Sequence, residues 1–269
     1  YVLVEASFAP KQADGPWRSG HIQVERCLHR ASAIISLNPV DTECIAKVTW
    51  SHCCIEHIKP FLEPVADSRE SPGALRRRLC NGHEFGERDV LLVTVAMMRN
   101  GDKLESYRML SGALGNVTGN NWRLILIGDG ECRKEIEEMF ENVAGHCLFT
   151  GELEAEEIAG WLGAADIYAW PSVNEAYGLA LLEAVAYGLP AVVCDYGGVG
   201  QIIEHEYNGL VISPGDRAGY ACALETMISD PGLRKRYASN SNRKFLRDHT
   251  FAQAQRRVDS IVDAVVSGQ

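Results

Sequence analysis

The sequence lacks any apolar run that could cross a membrane. A transmembrane helix needs about 20 consecutive apolar residues, and no stretch of the chain approaches that length. The first nine residues also lack the basic start and the cleavage site of a secretory signal. Because the chain begins with Tyr1 and not with Met, we expect the natural start to lie upstream. These absences predict a cytoplasmic protein without a transmembrane segment.

Positive charge is scarce as well. The chain has 26 Lys and Arg residues against 36 Asp and Glu residues, which gives a net charge of -10. Such a charge repels nucleic acid unless the cations gather on one face. The one dense basic run, residues 76–78, lies beside a Pro-Gly turn and is typical of a solvated helix face. We therefore expect no nucleic-acid partner.

A complete set of metal ligands is also missing. The nine cysteines are scattered and mostly have apolar neighbours, which is typical of reduced thiols in the cytosol. One cluster, His52-Cys53-Cys54 with His57, has a hint of metal spacing. Adjacent cysteines rarely aim at one tetrahedral ion, however, and no second pair completes the site. We predict no bound metal and no cofactor.

What the sequence does have, from residue 90 onward, is an alternation of short β-branched runs with longer helical patterns. The predicted strands are 90–96, 123–127, 146–149, 167–169, 191–194 and 210–212, and the predicted helices between them are 103–114, 131–140, 154–165 and 179–187. This alternation is typical of crossover units on a parallel sheet. It predicts an α/β fold, a doubly wound Rossmann-like sheet with helices on both faces that binds ligands at the carboxyl ends of its strands.

The flanking segments are less regular. Before residue 90 we predict a strand at 33–37, a helix at 40–48 and an extended piece at 58–61, too little to close a second sheet. After residue 214 we predict helices at 217–229, 231–248 and 251–266. The last of these has an apolar stripe at Ala254, Val258, Ile261 and Val265. The predicted domain divisions are 1–62, a linker at 63–86, a ligand-binding domain at 87–248 and a C-terminal helix at 249–269.

The most informative stretch lies between residues 170 and 190. A predicted strand ends near residue 171, a polar loop follows, and a helix opens around Tyr177 and Gly178. The first turn of a helix presents unpaired backbone amides and the positive end of the helix dipole. Such a helix start suits a phosphate group.

Two carboxylates flank this helix start. Glu183 is the one polar residue from 179 to 186, so we expect it inside a buried helix, where an ionised carboxylate needs partners. Its side chain leans toward the helix start and could accept hydrogen bonds from a vicinal diol, while Glu175 accepts others one ligand length away. This arrangement fits a nucleotide sugar. The alternative is that Glu175 is an ordinary acidic loop residue and that Glu183 lies at an exposed edge.

Further residues are predicted at the same edge of the sheet. Two glycine turns follow strands, Gly128-Asp129-Gly130 and Gly197-Gly198. A backbone can approach a ligand closely at such glycines, although they usually only make the turn. Arg99 and Lys103 follow the first strand of the sheet and could neutralise a diphosphate; the alternative for Lys103 is an ordinary surface position in a first helical turn.

These residues resemble those of the family 4 glycosyltransferases of the GT-B type. The likeness extends from about residue 31 to the C-terminus. Its signature is Glu-x7-Glu, here Glu175 to Glu183, within Pro-Ser-x-x-Glu-x-Tyr-Gly-Leu-x-Leu-Leu-Glu-Ala. Gly-Leu-Pro-Ala-Val-Val, the Gly197-Gly198 turn and Asn-Gly-Leu-Val-Ile-Ser-Pro-Gly-Asp follow it in the order found in that family.

The resemblance implies a retaining, metal-independent transfer of a sugar from a nucleoside diphosphate to an acceptor hydroxyl. The departing diphosphate would help to deprotonate the acceptor on the same face of the sugar. Glu175 would contact the donor sugar and Glu183 the ribose. The implied diphosphate ligands are Arg99, Lys103 and the backbone amides of Tyr177, Gly178 and Leu179. Because Arg99 and Lys103 are four positions apart where the family more often has five, Met97 is the alternative to Arg99.

The resemblance also places the rest of the donor and the partners. Residues Phe149-Thr150-Gly151 match the segment that borders the base, and Gly128 to Gly130 lie where a glycine turn faces the cleft. The acceptor would be a glycan, a lipid-linked compound or a small molecule, at the inner face of a membrane. Residues 27–41 and 57–63 resemble the end of the family's first, acceptor-side domain, most of which has no counterpart. The apolar stripe of 251–266, which folds back onto that domain, is therefore expected to be partly exposed.

Other classes of protein stay open. The chain could be a nucleotide-sugar-binding module that is inactive without its acceptor domain, or a nucleotide-sugar epimerase or phosphorylase on the GT-B frame. A dinucleotide or methyl-donor Rossmann domain is the weakest alternative, because neither glycine turn completes a GxGxxG pattern between strand and helix.

Overall fold

The computed structural model describes residues 1–4, 8, 12–50, 53–63, 72–83, 85–86 and 88–267. His52 and residues 64–71 of the predicted linker lie outside the described residues. The chain divides into two compact units. The smaller unit is Tyr1–Glu63 with Arg247–Gln269, and the larger unit is Pro64–Leu246.

The helices and strands are numbered in chain order. They are β1 (Val2–Val4), α1 (Arg18–Leu28), β2 (Ala33–Ser36), α2 (Pro39–Ala46), β3 (Cys54–His57), α3 (Pro72–Gly82), β4 (Val90–Val95), α4 (Asp102–Leu114), β5 (Trp122–Ile127), α5 (Arg133–Met139), β6 (Cys147–Gly151), α6 (Ala155–Ala164), β7 (Ile167–Ala169), α7 (Leu179–Ala186), β8 (Ala191–Cys194), α8 (Val199–Ile202), β9 (Gly209–Ile212), α9 (Arg217–Ser229), α10 (Pro231–Asp248) and α11 (Phe251–Ser267).

The larger unit is built on a six-stranded parallel sheet in the order β6-β5-β4-β7-β8-β9. This is the strand order of doubly wound Rossmann-like domains, in which the direction of winding reverses between the first strand and the fourth. Here the reversal falls between β4 and β7. Strand β4 is buried at five of its six positions, as expected where both faces of a parallel sheet are covered. The predicted α/β fold class is confirmed.

Most predicted elements of this unit agree with the structure. Strands β7 and β8 and helices α9 and α10 have the predicted bounds. The other predicted elements from β4 onward differ by one or two residues at an end, which is the usual uncertainty of helix and strand termini. The short helix α8 was not predicted.

One element lies where a linker was predicted. Helix α3 occupies much of residues 63–86 and packs through Leu75 against Gly160 and Gly163. Arg76, expected on a solvated face, instead donates to the carbonyl of Ala164 at 2.7 Å and pairs with Asp166 at 2.9 Å. The expectation was wrong for Arg76 because α3 packs against α6 within the larger unit.

The smaller unit contains a three-stranded parallel sheet in the order β1-β2-β3. The prediction that the residues before 90 cannot close a second sheet is therefore wrong. The third strand of the sheet, Cys54–His57, lies just before the extended piece predicted at 58–61. Strand β1 has only three residues, too few for a pattern to predict it.

Helices cover both faces of this small sheet, because neighbouring side chains of a strand point to opposite faces. On one face Ile34 packs with Leu28 of α1 and Ile45 of α2. On the other, Ile35 packs with Ala254 and Ile261 of α11, which are 5% and 6% exposed. The apolar stripe of α11, expected to be partly exposed, is thus buried at these two positions.

None of the helices in the described ranges combines the length and apolar character that a bilayer crossing requires.

Candidate functional site

A cavity of about 380 Å³ opens at the carboxyl edge of the larger sheet. It is lined by the residues that end β4, β5 and β7 and by the first turn of α7. This position is the reversal point of the strand order, where doubly wound sheets bind their ligands. The volume lies within the range of about 300 to 1,000 Å³ that is usual for small-molecule sites.

The start of α7 forms one wall of this cavity. Gly178 precedes the helix with a φ of 73°, a left-handed conformation that glycine adopts without strain. Gly178, Leu179, Ala180 and Leu181 all line the cavity. The first-turn amides of a helix have no partner within the helix, and the helix dipole adds positive potential there. This wall can therefore hold an anion.

An ion pair lies beside this wall. Nζ of Lys103, in the first turn of α4, donates to Oε2 of Glu175 at 2.5 Å. The two side chains are 19% and 21% exposed. The ammonium group also lies 5.7 Å from the centre of the Trp170 ring, within the range of a cation–π contact. The structure thus brings together Lys103 and Glu175, two predicted site residues that lie 72 positions apart in the sequence.

The loop that carries Glu175 is fixed to the first turns of α4. The amide of Val173 donates to Oγ of Ser106 at 3.0 Å, and Nδ2 of Asn174 donates to Oδ2 of Asp102 at 2.9 Å. Asn174 has a φ of 51°, which asparagine tolerates better than most residues. These contacts hold the backbone of the loop around Glu175 in place.

The Gly197-Gly198 turn was predicted to let a ligand approach closely. In the structure it lies against the backbone of the loop that carries Glu175. A Cβ atom at Gly197 would lie 2.2 Å from the carbonyl oxygen of Glu175, and one at Gly198 would lie 2.4 Å from that of Ala176. The Gly198 amide donates to the Glu175 carbonyl at 3.2 Å. At these glycines the close approach is therefore made by the protein's own backbone and not left open for a ligand. Their role here is to support the Glu175 loop.

Glu183 lies inside α7, half-buried, as the apolar pattern predicts. Burial raises the pKa of its carboxyl above the ordinary glutamate value. Glu183 and Glu175 act on one common neighbour, Tyr168 in the cavity wall: burial raises the pKa of this phenol, and the charges of both carboxylates raise it further. Both carboxylates are thus close enough to Tyr168 for their charges to act on it, although Glu183 is outside the cavity lining.

The two alternatives near the end of β4 differ in their relation to the cavity. Met97 lines it, together with Lys103, whereas Arg99 is outside the lining. Both side chains are exposed. Which of the two would contact a bound diphosphate stays a prediction.

Only the first residue of the turn 128–130 reaches the cavity. Gly128 lines it, whereas Asp129 and Gly130 do not. Asp129 accepts a hydrogen bond from the Gly130 amide and pairs with Arg133 at 2.8 Å. These contacts lower the pKa of its carboxyl, the amide contributing most.

The segment predicted to border a base is followed directly by residues of the cavity lining, and its contact with a base stays a prediction. Phe149 packs edge-on against Phe140, with ring centres 5.9 Å apart, and neither Thr150 nor Gly151 lines the cavity. The next residues, Glu152 and Leu153, line it instead, with Ile158 of α6. They follow the last residue of β6, so the rule that ligands bind at strand ends would have found them had the strand been predicted two residues longer.

Two aromatic residues of the cavity were missed. Tyr168 and Trp170 lie at the end of β7, two positions apart, and both line the cavity. Alternate residues of a strand share a face, so their spacing was a usable signal.

Among the described residues, no group of three or more His, Cys, Asp or Glu side chains is placed to hold a metal ion.

A parallel sheet wound in this order, with a cavity at its carboxyl edge and a helix start and an ion pair in the cavity wall, defines a Rossmann-like α/β ligand-binding domain. The family model of the glycosyl transferases group 1 matches residues 95–244, more than half of the 269 residues. The chain belongs to this family.

Curated relatives agree with that assignment. The chain is 31% identical over 126 residues to the uncharacterized glycosyltransferase MJ1607 of Methanocaldococcus jannaschii, covering 46% of this chain and 32% of that protein. It is 35% identical over 153 residues to the D-inositol 3-phosphate glycosyltransferase of Streptomyces bingchenggensis, covering 57% of this chain and 32% of that protein. The chain thus spans about a third of the length of these relatives.

Solved structures share the fold. Anabaena Alr3699/HepE in complex with UDP superposes with a TM-score of 0.82 at 16% identity, covering 98% of this chain and 72% of that one. WaaG, a glycosyltransferase involved in lipopolysaccharide biosynthesis, superposes with a TM-score of 0.74 at 17% identity, covering 97% and 74%. At these identities the likeness establishes the fold alone.

Proposed function

We propose that this chain carries the nucleotide-sugar donor site of a retaining, metal-independent glycosyltransferase of family 4. One observation carries the proposal: the Lys103–Glu175 ion pair, at 2.5 Å, lies in the wall of the same cavity as the start of α7. A cation and a helix start together suit a diphosphate. A carboxylate beside them suits the hydroxyl groups of a sugar.

The proposed donor lies across the start of α7. The diphosphate binds the backbone amides of Tyr177, Gly178 and Leu179, and Glu175 accepts hydrogen bonds from the sugar. Glu183 accepts hydrogen bonds from the ribose diol; its raised pKa marks a carboxylate whose burial is costly unless hydroxyl groups donate to it. The base lies toward Gly128 and the residues that follow β6, where Leu153 offers an apolar surface.

In the proposed reaction the bond between the sugar C1 and the diphosphate oxygen breaks. A bond forms from the acceptor oxygen to C1 on the same face, and the acceptor proton passes to the departing diphosphate. The Lys103 ammonium and the first-turn amides of α7 offset the charge that develops on the leaving group. The retaining outcome and the lack of a metal requirement rest on the resemblance to family 4. Beside Lys103, Arg99 or, in its place, Met97 is proposed to lie next to the diphosphate.

The acceptor is proposed to be a glycan, a lipid-linked compound or a small molecule, used in the cytoplasm at the inner face of a membrane. We propose that the smaller unit belongs to the acceptor side of the enzyme. A second candidate is a binding module that holds the donor without transferring it.

The proposal is tested by thermal unfolding of the chain with UDP, GDP or ADP, each compared with its monophosphate and with its hexose conjugate. A diphosphate at one hundred times its dissociation constant should stabilise the fold by about 2.7 kcal/mol, and the monophosphate by much less. Glu183→Ala should reduce the effect. Product analysis with each conjugate then separates transfer or hydrolysis from epimer formation and from binding alone. Failure of every nucleotide to stabilise the chain would remove the donor site.

A further inference from the structure

Lys103 and Glu175 satisfy each other in the structure. Their charged atoms are 2.5 Å apart, and about four fifths of each side chain is shielded from water. Solvent and salt weaken such a pair less than a pair on the surface. Any anion that takes Lys103 as its counter-ion must therefore compete with the Glu175 carboxylate for it.

Of the two partners, Glu175 is the one held in place. Its loop is bonded to α4 through Val173 and Asn174, and Gly198 donates to its carbonyl oxygen. Lys103 has a flexible four-carbon stem with three rotatable donors. An incoming anion will therefore draw the ammonium group away from a carboxylate that stays where it is.

Once Lys103 has moved away, Glu175 needs new hydrogen-bond donors, because a shielded charge without hydrogen bonds is costly. A nucleotide sugar can supply them, since its sugar hydroxyl groups donate hydrogen bonds. A nucleoside diphosphate has no sugar hydroxyl groups to offer Glu175 and competes with it for Lys103. The same carboxylate thus favours one ligand and opposes the other.

Resting on the proposed donor site, we propose that Glu175 is the residue that makes the site discriminate between the intact nucleotide sugar and the nucleoside diphosphate left after transfer. With the donor bound, the sugar hydroxyl groups occupy Glu175 and Lys103 turns to the diphosphate. Once the sugar has left, Glu175 recovers Lys103, and the diphosphate loses its cation. The ion pair thereby promotes release of the product.

The test is a calorimetric titration of the full 269-residue chain with UDP, GDP and ADP and with UDP-glucose, GDP-mannose and ADP-glucose. Glu175→Gln should bind the diphosphate about tenfold more tightly than the wild type, a change of about 1.4 kcal/mol. It should bind the conjugate no more tightly. The ratio of the two affinities should shift by at least about tenfold in favour of the diphosphate.

Glu105→Gln is the matched control, because it makes the same change of charge on the same helix as Lys103. The Glu105 side chain is 58% exposed and pairs with Arg108 at 3.4 Å. The control should leave both affinities near those of the wild type. Glu175→Ala is the second variant should Glu175→Gln unfold, since it also removes the competing charge.

A double variant tests whether the effect passes through Lys103. In a Lys103→Met background, Glu175→Gln should give no tightening of the diphosphate. A tightening that persists there would mean plain charge repulsion and would overturn the competition. So would a diphosphate affinity of Glu175→Gln equal to that of Glu105→Gln. Binding of none of the six ligands to the wild type is the distinct result that removes the donor site, and this inference with it.

Discussion

Glu175 in the loop before α7 and Glu183 inside α7 carry the same charge in different surroundings. Glu175 is fixed opposite a cation at 2.5 Å. Glu183 is half-buried, and burial raises the pKa of its carboxyl above the ordinary value. The first carboxylate is neutralised by the protein, whereas the second stays costly until something donates to it. We therefore propose different roles for the two regions: competition over the Lys103 charge in the loop, and binding of hydroxyl donors in the helix.

We expect the largest change for Lys103→Met, which removes the positively charged partner of Glu175. We expect nucleoside diphosphate binding to weaken by about 100-fold, since a charge-assisted contact is lost. We also expect unfolding to require about 2 kcal/mol less, because the shielded Glu175 loses its partner. Titration and denaturant unfolding measure the two. Lys134→Met is the control, because Lys134 is 91% exposed and lies 4.0 Å from Glu138; an equal loss in that variant would contradict a specific role for Lys103.

Gly197→Ala alters the support of the loop and leaves its charges alone. A Cβ atom there would meet the Glu175 carbonyl oxygen at 2.2 Å, at a φ of +51°. We expect a loss of about 3 kcal/mol of stability, from backbone strain and crowding together, and weaker nucleotide binding. Gly215→Ala is matched to it, because Gly215 also has a positive φ, +77°, but no atom within 4 Å. That control should lose only about 1 kcal/mol and bind normally, so similar behaviour of the two would refute the crowding.

Glu183→Gln tests the helix region. A carboxyl with a raised pKa in the folded state contributes stability below its ordinary pKa of about 4.3. That contribution is lost as the pH rises through the raised value. Without nucleotide at neutral pH, the variant should therefore melt about 1 to 3 °C above the wild type, and the gain should vanish near pH 4. Its affinity for the donor should fall by about tenfold.

Melting curves between pH 4 and pH 8 check this sign directly. Glu138→Gln, at a side chain that is 60% exposed, should show no gain at any pH. A Glu183→Gln protein that is less stable than the wild type at pH 7 would mean that the carboxylate is already satisfied, and the contrast with Glu175 would fail.

The smallest effect is expected at Asp248, a paired carboxylate of the smaller unit that is not part of the cavity lining. Hydrogen bonds from Arg247 and then from Lys59 hold the pKa of its carboxyl well below the ordinary value. Such a group adds stability above its ordinary pKa of about 3.9, and loses it as the pH falls toward the lowered value. Asp248→Asn should cost about 1 kcal/mol at pH 7 and nothing in strong acid. A constant cost at every pH would exclude the ion pairs as its cause.

The sequence predicts the larger sheet well, because its strands are continuous apolar runs separated by helices. Strand β4 reads Val-Leu-Leu-Val-Thr-Val and is buried almost throughout. The smaller sheet is harder to predict. Strand β3, Cys54–His57, contains a glutamate and a histidine and no apolar pattern, and it forms by pairing with β2. Pairing between distant segments is a tertiary effect that local propensity does not contain.

The site divides in the same way. The apolar pattern around Glu183 predicts a carboxylate inside a buried helix, and the structure has a half-buried carboxylate in α7. The choice between Met97 and Arg99 depends on the course of an irregular loop, and the contact of Gly197 with Glu175 depends on two loops meeting. Neither of these two features can be inferred from the spacing of residues in the sequence. The direct Lys103–Glu175 pair was outside prediction for the same reason.

The most direct measurement is a crystal structure of the chain with whichever nucleoside diphosphate stabilises it most. The account predicts phosphate oxygens about 3 Å from the first-turn amides of α7, with Lys103 turned toward them and the Glu175 backbone unmoved. A diphosphate bound elsewhere, with the Lys103–Glu175 pair intact and the start of α7 bare, would contradict it.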